Sequence, residues 1–247
     1  MDTFNFYQHL GVRDPGSVVF TSSYLTPLPL DRHSKIADLG CGYGRRATWV
    51  ARSRCCEMHV FDTSPQRLDA TYARAEEGGS ESQLVLHHIE EDYTTLPVPE
   101  ESYDLIMAEG VGFTLDGLDA AQRLVPYVKR GGHLVVTAPG IIDANAPAVV
   151  SQPLTERRGA PLLTLEAYYE QLMQLPDVKF VHQVTLAQHS WDEHYQNLGR
   201  CLKSLIKLGE LSPSSEVAQA AQAELDWYRS YARGQIFLQA FVFSVSA

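Results

Sequence analysis

The segment Asp38-Leu39-Gly40-Cys41-Gly42-Tyr43-Gly44 concentrates residue types with a chemical use. Glycines let the backbone approach a ligand closely and take conformations that a side chain forbids. A helix opening behind such a turn offers free N–H groups and positive potential. A dinucleotide fingerprint is spaced GxGxxG, but here the spacing is GxGxG, and Arg45 stands where the third glycine would be needed. Asp38, ahead of the first glycine, would repel a pyrophosphate; it can face a cationic ligand instead. Asp62 comes 20 residues after Gly42 and closes the apolar run Val60-Phe61, with Thr63 beside it. A carboxylate there can accept from both hydroxyls of a ribose. Further on, Glu91-Asp92-Tyr93 forms a third group. Asp92 can accept from the exocyclic amine of a purine, and Tyr93 can cover the ring or offer its backbone N–H. Glu109 follows a later apolar run. It can contact a cofactor, bind an amine or act as a base.

A second cluster, His189-Ser190-Trp191-Asp192-Glu193-His194-Tyr195, packs two imidazoles, an indole, a phenol and two carboxylates into seven residues. One reading is a substrate lid, with His189 or His194 as acid or base and with aromatic walls suited to a cationic acceptor. The other is an ordinary amphipathic helix start, capped by Ser190, with Trp191 and Tyr195 in the core. No third ligand at helical spacing joins the two histidines. Cys41, Cys55, Cys56 and Cys201 form no CxxC pair, so no metal site is expected and the thiols read as reduced.

These residues need a scaffold, and the patterning supplies one. Short apolar runs predict strands over 35–39, 57–61, 84–88, 103–108 and 133–138, with Gly131-Gly132 turning into the last. Helices are expected between them over 43–53, 65–76 and 116–128, the second with Ser64 as N-cap and Pro65 at its first position. Alternation of this kind predicts a parallel sheet covered on both faces. Short helices near 3–10 and 17–26 precede it. Residues 140–163 look irregular, with three prolines. Beyond them come a helix over 164–174, a strand over 178–187, helices over 191–208 and 214–232, and a strand over 235–245 that is apolar on both faces and hence central.

Residues 35–138 resemble class I S-adenosylmethionine-dependent methyltransferases of the small-molecule type. The resemblance rests on Ile36 to Gly44, Val60-Phe61-Asp62, Asp92 to Pro97 and Val128 to Leu134. Tyr43, where a small polar residue is frequent, and Glu91, where glycine is common, depart from the family pattern. The resemblance implies a Rossmann-like α/β fold: a seven-stranded, mostly parallel sheet ordered 3-2-1-4-5-7-6, with the last strand antiparallel. It implies S-adenosylmethionine as cofactor, with contacts from Asp38, Gly40, Cys41, Gly42, Asp62, Thr63, Asp92, Tyr93 and Glu109. It also implies one domain over 1–247, made of an arm over 1–34, a cofactor core over 35–139 and a helical lid over 188–233.

The expected reaction is in-line methyl transfer to a nitrogen, oxygen or carbon of a small molecule. The alternatives are a protein that binds the cofactor without methyl transfer or for another reaction, and an NAD-dependent oxidoreductase. The formal net charge of −10 argues against nucleic acid and anionic membranes as partners and leans toward a neutral or cationic acceptor. No signal peptide or membrane span is read, so a cytoplasmic location is expected. A homo-oligomer is left open.

Overall fold

A computed structural model describes residues 2–90, 95–113 and 117–246 of the chain. Helices α1 (Thr3–Leu10) and α2 (Val18–Leu25) lead into β1 (Lys35–Leu39). There follow α3 (Arg45–Arg54), β2 (Glu57–Asp62), α4 (Pro65–Gly78), β3 (Leu84–His88), β4 (Tyr103–Ala108), α5 (Gly117–Leu124) and β5 (Val128–Ile141). The rest of the chain gives α6 (Ala148–Arg158), α7 (Leu165–Leu172), β6 (Val178–Thr185), α8 (Gln188–Lys207), α9 (Glu216–Trp227) and β7 (Ile236–Val245). The seven strands form one sheet in the order β3-β2-β1-β4-β5-β7-β6. β7 runs antiparallel to both its neighbours, β5 and β6, while the other pairs are parallel. The fold is the Rossmann-like α/β arrangement that the resemblance implies.

Successive strand residues enter opposite layers. Ile36, Leu105 and Met107 face one core with α1, α2, α3 and α8, whereas Ala37, Leu39, Ile106 and Ala108 face the other with α5 and α7. This two-residue period on strands buried on both sides explains their nearly continuous apolar runs. Ser64 caps α4 through the Arg67 N–H at 3.4 Å, with Pro65 at the first position. All four cysteines are free thiols. Among the described residues no helix is long and apolar enough to cross a membrane.

Three local expectations are corrected. Gly131 and Gly132 lie within β5 rather than in a turn before it: Val128 already pairs with Tyr103, and the register slips between Tyr103 and Leu105. Residues 148–158, expected to be irregular, form α6 with Pro153 inside it. Proline has no N–H for the carbonyl one turn back; that carbonyl, on Val149, accepts instead from the Trp227 indole N–H at 2.9 Å. α8 begins at Gln188 after Ala187, so Ser190 lies inside the helix and does not cap it.

Candidate cofactor and acceptor site

The turn after β1 is built by its neighbours. Gly40, Gly42 and Gly44 have φ of 67°, 60° and 73°, the left-handed region where a side chain is strained. The Gly40 and Cys41 N–H groups donate to the Phe61 carbonyl at 2.9 and 3.1 Å. The Gly42 N–H donates to Asp62 Oδ2 at 3.0 Å, and the Ser64 N–H donates to Asp62 Oδ1 at 3.0 Å. Arg67 stands 3.6 Å from the same carboxylate. Asp62 therefore ties the end of β2 to the glycine turn, and its two oxygens keep acceptor capacity beyond these bonds. A Cβ on Gly44 would lie 2.7–2.8 Å from Thr71, so this glycine lets α3 and α4 meet. A Cβ on Gly42 would meet nothing within 4 Å.

Below the turn lies a buried charge network. Arg46, on the first turn of α3, donates through Nε to Asp38 Oδ1 at 3.0 Å and through Nη2 to the same oxygen. Its Nη1 is 3.4 Å from Glu109 Oε1. Glu109 Oε2 accepts from the Thr21 hydroxyl at 2.9 Å and from the Tyr24 hydroxyl, both on α2. Burial pushes the Asp38 carboxyl up to about 6 against the pull of Arg46. Among the described residues Asp38 Oδ2 has no hydrogen-bond partner. Burial, followed by the charge of Glu109, pushes the Tyr24 phenol well above its ordinary range. The network thus links the N-terminal arm, β4 and the helix behind the glycine turn.

These elements enclose an open cavity of about 200 Å³ at the carboxyl edge of the sheet. Gly40, Cys41, Gly42, Asp62 and Glu109 form one wall. Residues 11–18 of the arm and Arg157 of α6 line the cavity as well, with Gly16 packed close to Glu109 Oε1. Asp14 and Arg157 clasp each other in a double hydrogen bond at 2.5 and 2.8 Å, fastening the arm to α6. Ligands of open α/β sheets sit at this edge.

The residues singled out by sequence are distributed unevenly around it. Asp38 lies beneath the wall, behind Arg46. Thr63 is partly buried, and its carbonyl faces His88 Nε2 at 3.3 Å rather than the cavity. Asp92 and Tyr93 lie outside the described residues. The structure does not bring His189 or His194 to the cavity: His189 is exposed, and His194 is buried against Tyr195. Burial holds the His194 imidazole down to about 4. Trp191 and Tyr195 are core residues packed on Tyr228, so the 188–233 segment lends its aromatic side to the interior, while residues 11–18 of the arm line the cavity. Sequence reasoning missed Thr21, Tyr24, Arg46, Asp14 and Arg157. Arg46 was legible in principle, since a cation one helical turn into α3 can reach back to a carboxylate ending β1. The other four meet only through the tertiary fold.

Residues 36–132 match the model of a methyltransferase domain family. A 120-residue stretch is 29% identical to "Methyltransferase GfsG" of Streptomyces halstedii, covering 47% of this chain and 42% of that protein's length. In three dimensions the chain resembles YjhP of E. coli, with a TM-score of 0.78 and 21% identity over 98% of this chain and 99% of that one. It also resembles a SAM-dependent methyltransferase from Geobacter sulfurreducens solved with S-adenosyl-L-homocysteine, with a TM-score of 0.77 and 18% identity over 98% of each chain.

Proposed function

We propose that this chain, whose residues 36–132 match a methyltransferase domain family, is a class I S-adenosylmethionine-dependent methyltransferase that transfers the cofactor's methyl group to a small-molecule acceptor held beneath the N-terminal arm. The observation that carries this reading is the single cavity lined by the glycine turn, Asp62, Glu109 and residues 11–18 of the arm. One enclosure can therefore hold the cofactor and its acceptor together.

The residues present fit the cofactor. Gly42 leaves open space where any side chain would intrude. Among the described residues Asp38 keeps an orphaned, buried oxygen, and Asp62 borders the cavity at the end of β2. In this reading Gly40 and Gly42 admit the cofactor to the backbone, Asp62 accepts from its ribose hydroxyls, and Asp38 adds negative potential near its cationic end. When bound, S-adenosylmethionine supplies an electrophilic methyl group on a sulfonium that leaves as a neutral thioether. The protein's share is alignment and exclusion of water. The arm, pinned through Asp14–Arg157 and through Thr21 and Tyr24, closes the cavity. Glu109 accepts the proton where the acceptor's nucleophile has one to lose.

The test is calorimetric titration with S-adenosylhomocysteine and, separately, with NADH. Binding of the first is expected, weakened about a hundredfold in Asp62→Ala, the worth of two charge-assisted hydrogen bonds. Binding of NADH alone, or an unchanged affinity in the variant, would overturn the reading. Release of S-adenosylhomocysteine from S-adenosylmethionine in the presence of a metabolite extract tests the transfer itself.

A further inference from the structure

The whole chain carries 20 Lys and Arg against 30 Asp and Glu, yet the cavity reverses that balance. Arg13, Arg45, Arg46, Arg67 and Arg157 line it. Among the described residues, three carboxylates, Asp14, Asp62 and Glu109, share the wall. Three of the arginines are engaged: Arg46 by Asp38 and Glu109, Arg67 by Asp62, and Arg157 by Asp14. Among the described residues, Arg13 and Arg45 form no ion pair with a carboxylate; Arg13 feels the charge of the buried Glu224, which accepts from the Tyr7 hydroxyl at 3.1 Å. Arg45 opens α3 behind the glycine turn, on the cofactor's wall. Arg13 belongs to the arm, its guanidinium 4.7 Å from the centroid of the Tyr7 ring. Next to it, Arg157 lies 5.4 Å from the centroid of Phe113, while its N–H groups are held by Asp14.

We infer that the acceptor is a small organic anion, and that Arg13 binds its carboxylate or phosphoryl group. The inference rests on the methyltransferase reading, because it needs the cofactor to fill the glycine-turn side and leave the arm side for the acceptor. A guanidinium stacked on a phenol ring keeps its N–H edge free and its plane fixed, which suits a two-point grip on an oxyanion. Arg13 shares the field of Glu224 but has no ion pair of its own at the cavity, and an anionic ligand supplies one. Val12, Pro15, Val18 and Val111 supply an apolar lining next to it for the body of the molecule. The acidic surface elsewhere does not oppose this, since a charge acts chiefly within about a Debye length of 8–10 Å.

The probes are benzoate and phenyl phosphate, with benzamide and benzylamine as neutral and cationic counterparts of the same shape. Each is titrated into the protein saturated with S-adenosylhomocysteine. Benzoate or phenyl phosphate is expected to bind, the better of the two naming the oxyanion, and the affinity should fall with added salt. Arg13→Gln should weaken that binding at least tenfold and Arg13→Lys less, with the S-adenosylhomocysteine affinity and the melting temperature unmoved. Preference for benzamide or benzylamine, binding of none of the four, or anion binding indifferent to Arg13→Gln would each overturn the inference while leaving the cofactor reading intact. Failure of S-adenosylhomocysteine to bind the wild-type protein would instead remove the reading on which the inference stands. As a second measure, a metabolite extract is split on anion- and cation-exchange resins. Cofactor turnover should follow the anion-retained fraction; turnover in the cation-retained fraction would refute the assignment.

Discussion

Replacing Arg46 by Met removes the one cation shared by two buried carboxylates. Asp38 is fully buried and Glu109 nearly so, while the Arg46 side chain is 15% exposed. Removing one partner of a buried ion pair costs about 3–5 kcal/mol, because the remaining charge is left uncompensated. Counting bonds gives a similar figure, since two charge-assisted hydrogen bonds at roughly 1.5–3 kcal/mol each are lost. At about 2–4 °C per kcal/mol for a chain of this size, a loss near 4 kcal/mol lowers the melting temperature by roughly 8–16 °C. The loss should also depend on pH. Burial already raises the Asp38 pKa to about 6 with Arg46 present, and without the cation it rises further. A carboxyl with a raised native pKa binds more protons folded than unfolded, so stability falls as pH rises through that interval. The deficit of Arg46→Met relative to wild type should therefore be larger at pH 8 than at pH 6.5. Asp38→Asn in the same chain should recover part of it, because no buried charge then remains at that position. Urea unfolding followed by circular dichroism at both pH values measures this. A deficit under about 1 kcal/mol, equal deficits at the two pH values, or no recovery in the double variant would refute the account of the network.

Gly44→Ala should destabilise by roughly 2–4 kcal/mol, since its Cβ would meet the backbone and side chain of Thr71 at 2.7–2.8 Å in a left-handed conformation. Gly42→Ala meets no atom and should cost only about 1–2 kcal/mol of backbone strain, yet weaken S-adenosylhomocysteine more than Gly44→Ala does; thermal melts paired with titrations separate the two. His194, held neutral by burial with its pKa down to about 4, lets the unfolded state gain a proton that the folded state refuses. Its presence should cost about 2 kcal/mol on acidification from pH 6.5 to pH 5, and His194→Leu should flatten that slope in urea titrations. Trp227→Phe strands the Val149 carbonyl that Pro153 cannot serve and should lower stability by about 1–3 kcal/mol, with faster proteolysis near α6 as a second readout.

What could be read from the sequence follows from how far apart in the chain the interacting groups lie. The glycine turn, Asp62 and the Ser64–Pro65 start of α4 were legible because each signal is complete within a few residues and carries its own stereochemistry. Strand order followed from those motifs through the family resemblance. α6 was not legible: Pro153 argued against a helix, and the compensating donor, Trp227, lies 74 residues away. The His189–Tyr195 cluster looked chemical because polar and aromatic groups alternate there. On a helix, however, Trp191, His194 and Tyr195 share one face, and that face is inward. Net charge likewise does not describe the cavity. A whole-chain sum weights every surface Glu equally with Arg13, although an acceptor in the cavity meets only the wall around it. The arginines of that wall come from the arm, α3, α4 and α6, so their common sign exists only once the fold has gathered them. Under the proposed assignment, acceptor recognition is a property of the segments outside the cofactor motifs. Substitutions at Arg13, Asp14 and Arg157 should change which molecule is bound, whereas those at Gly42 and Asp62 should change whether the cofactor is bound at all.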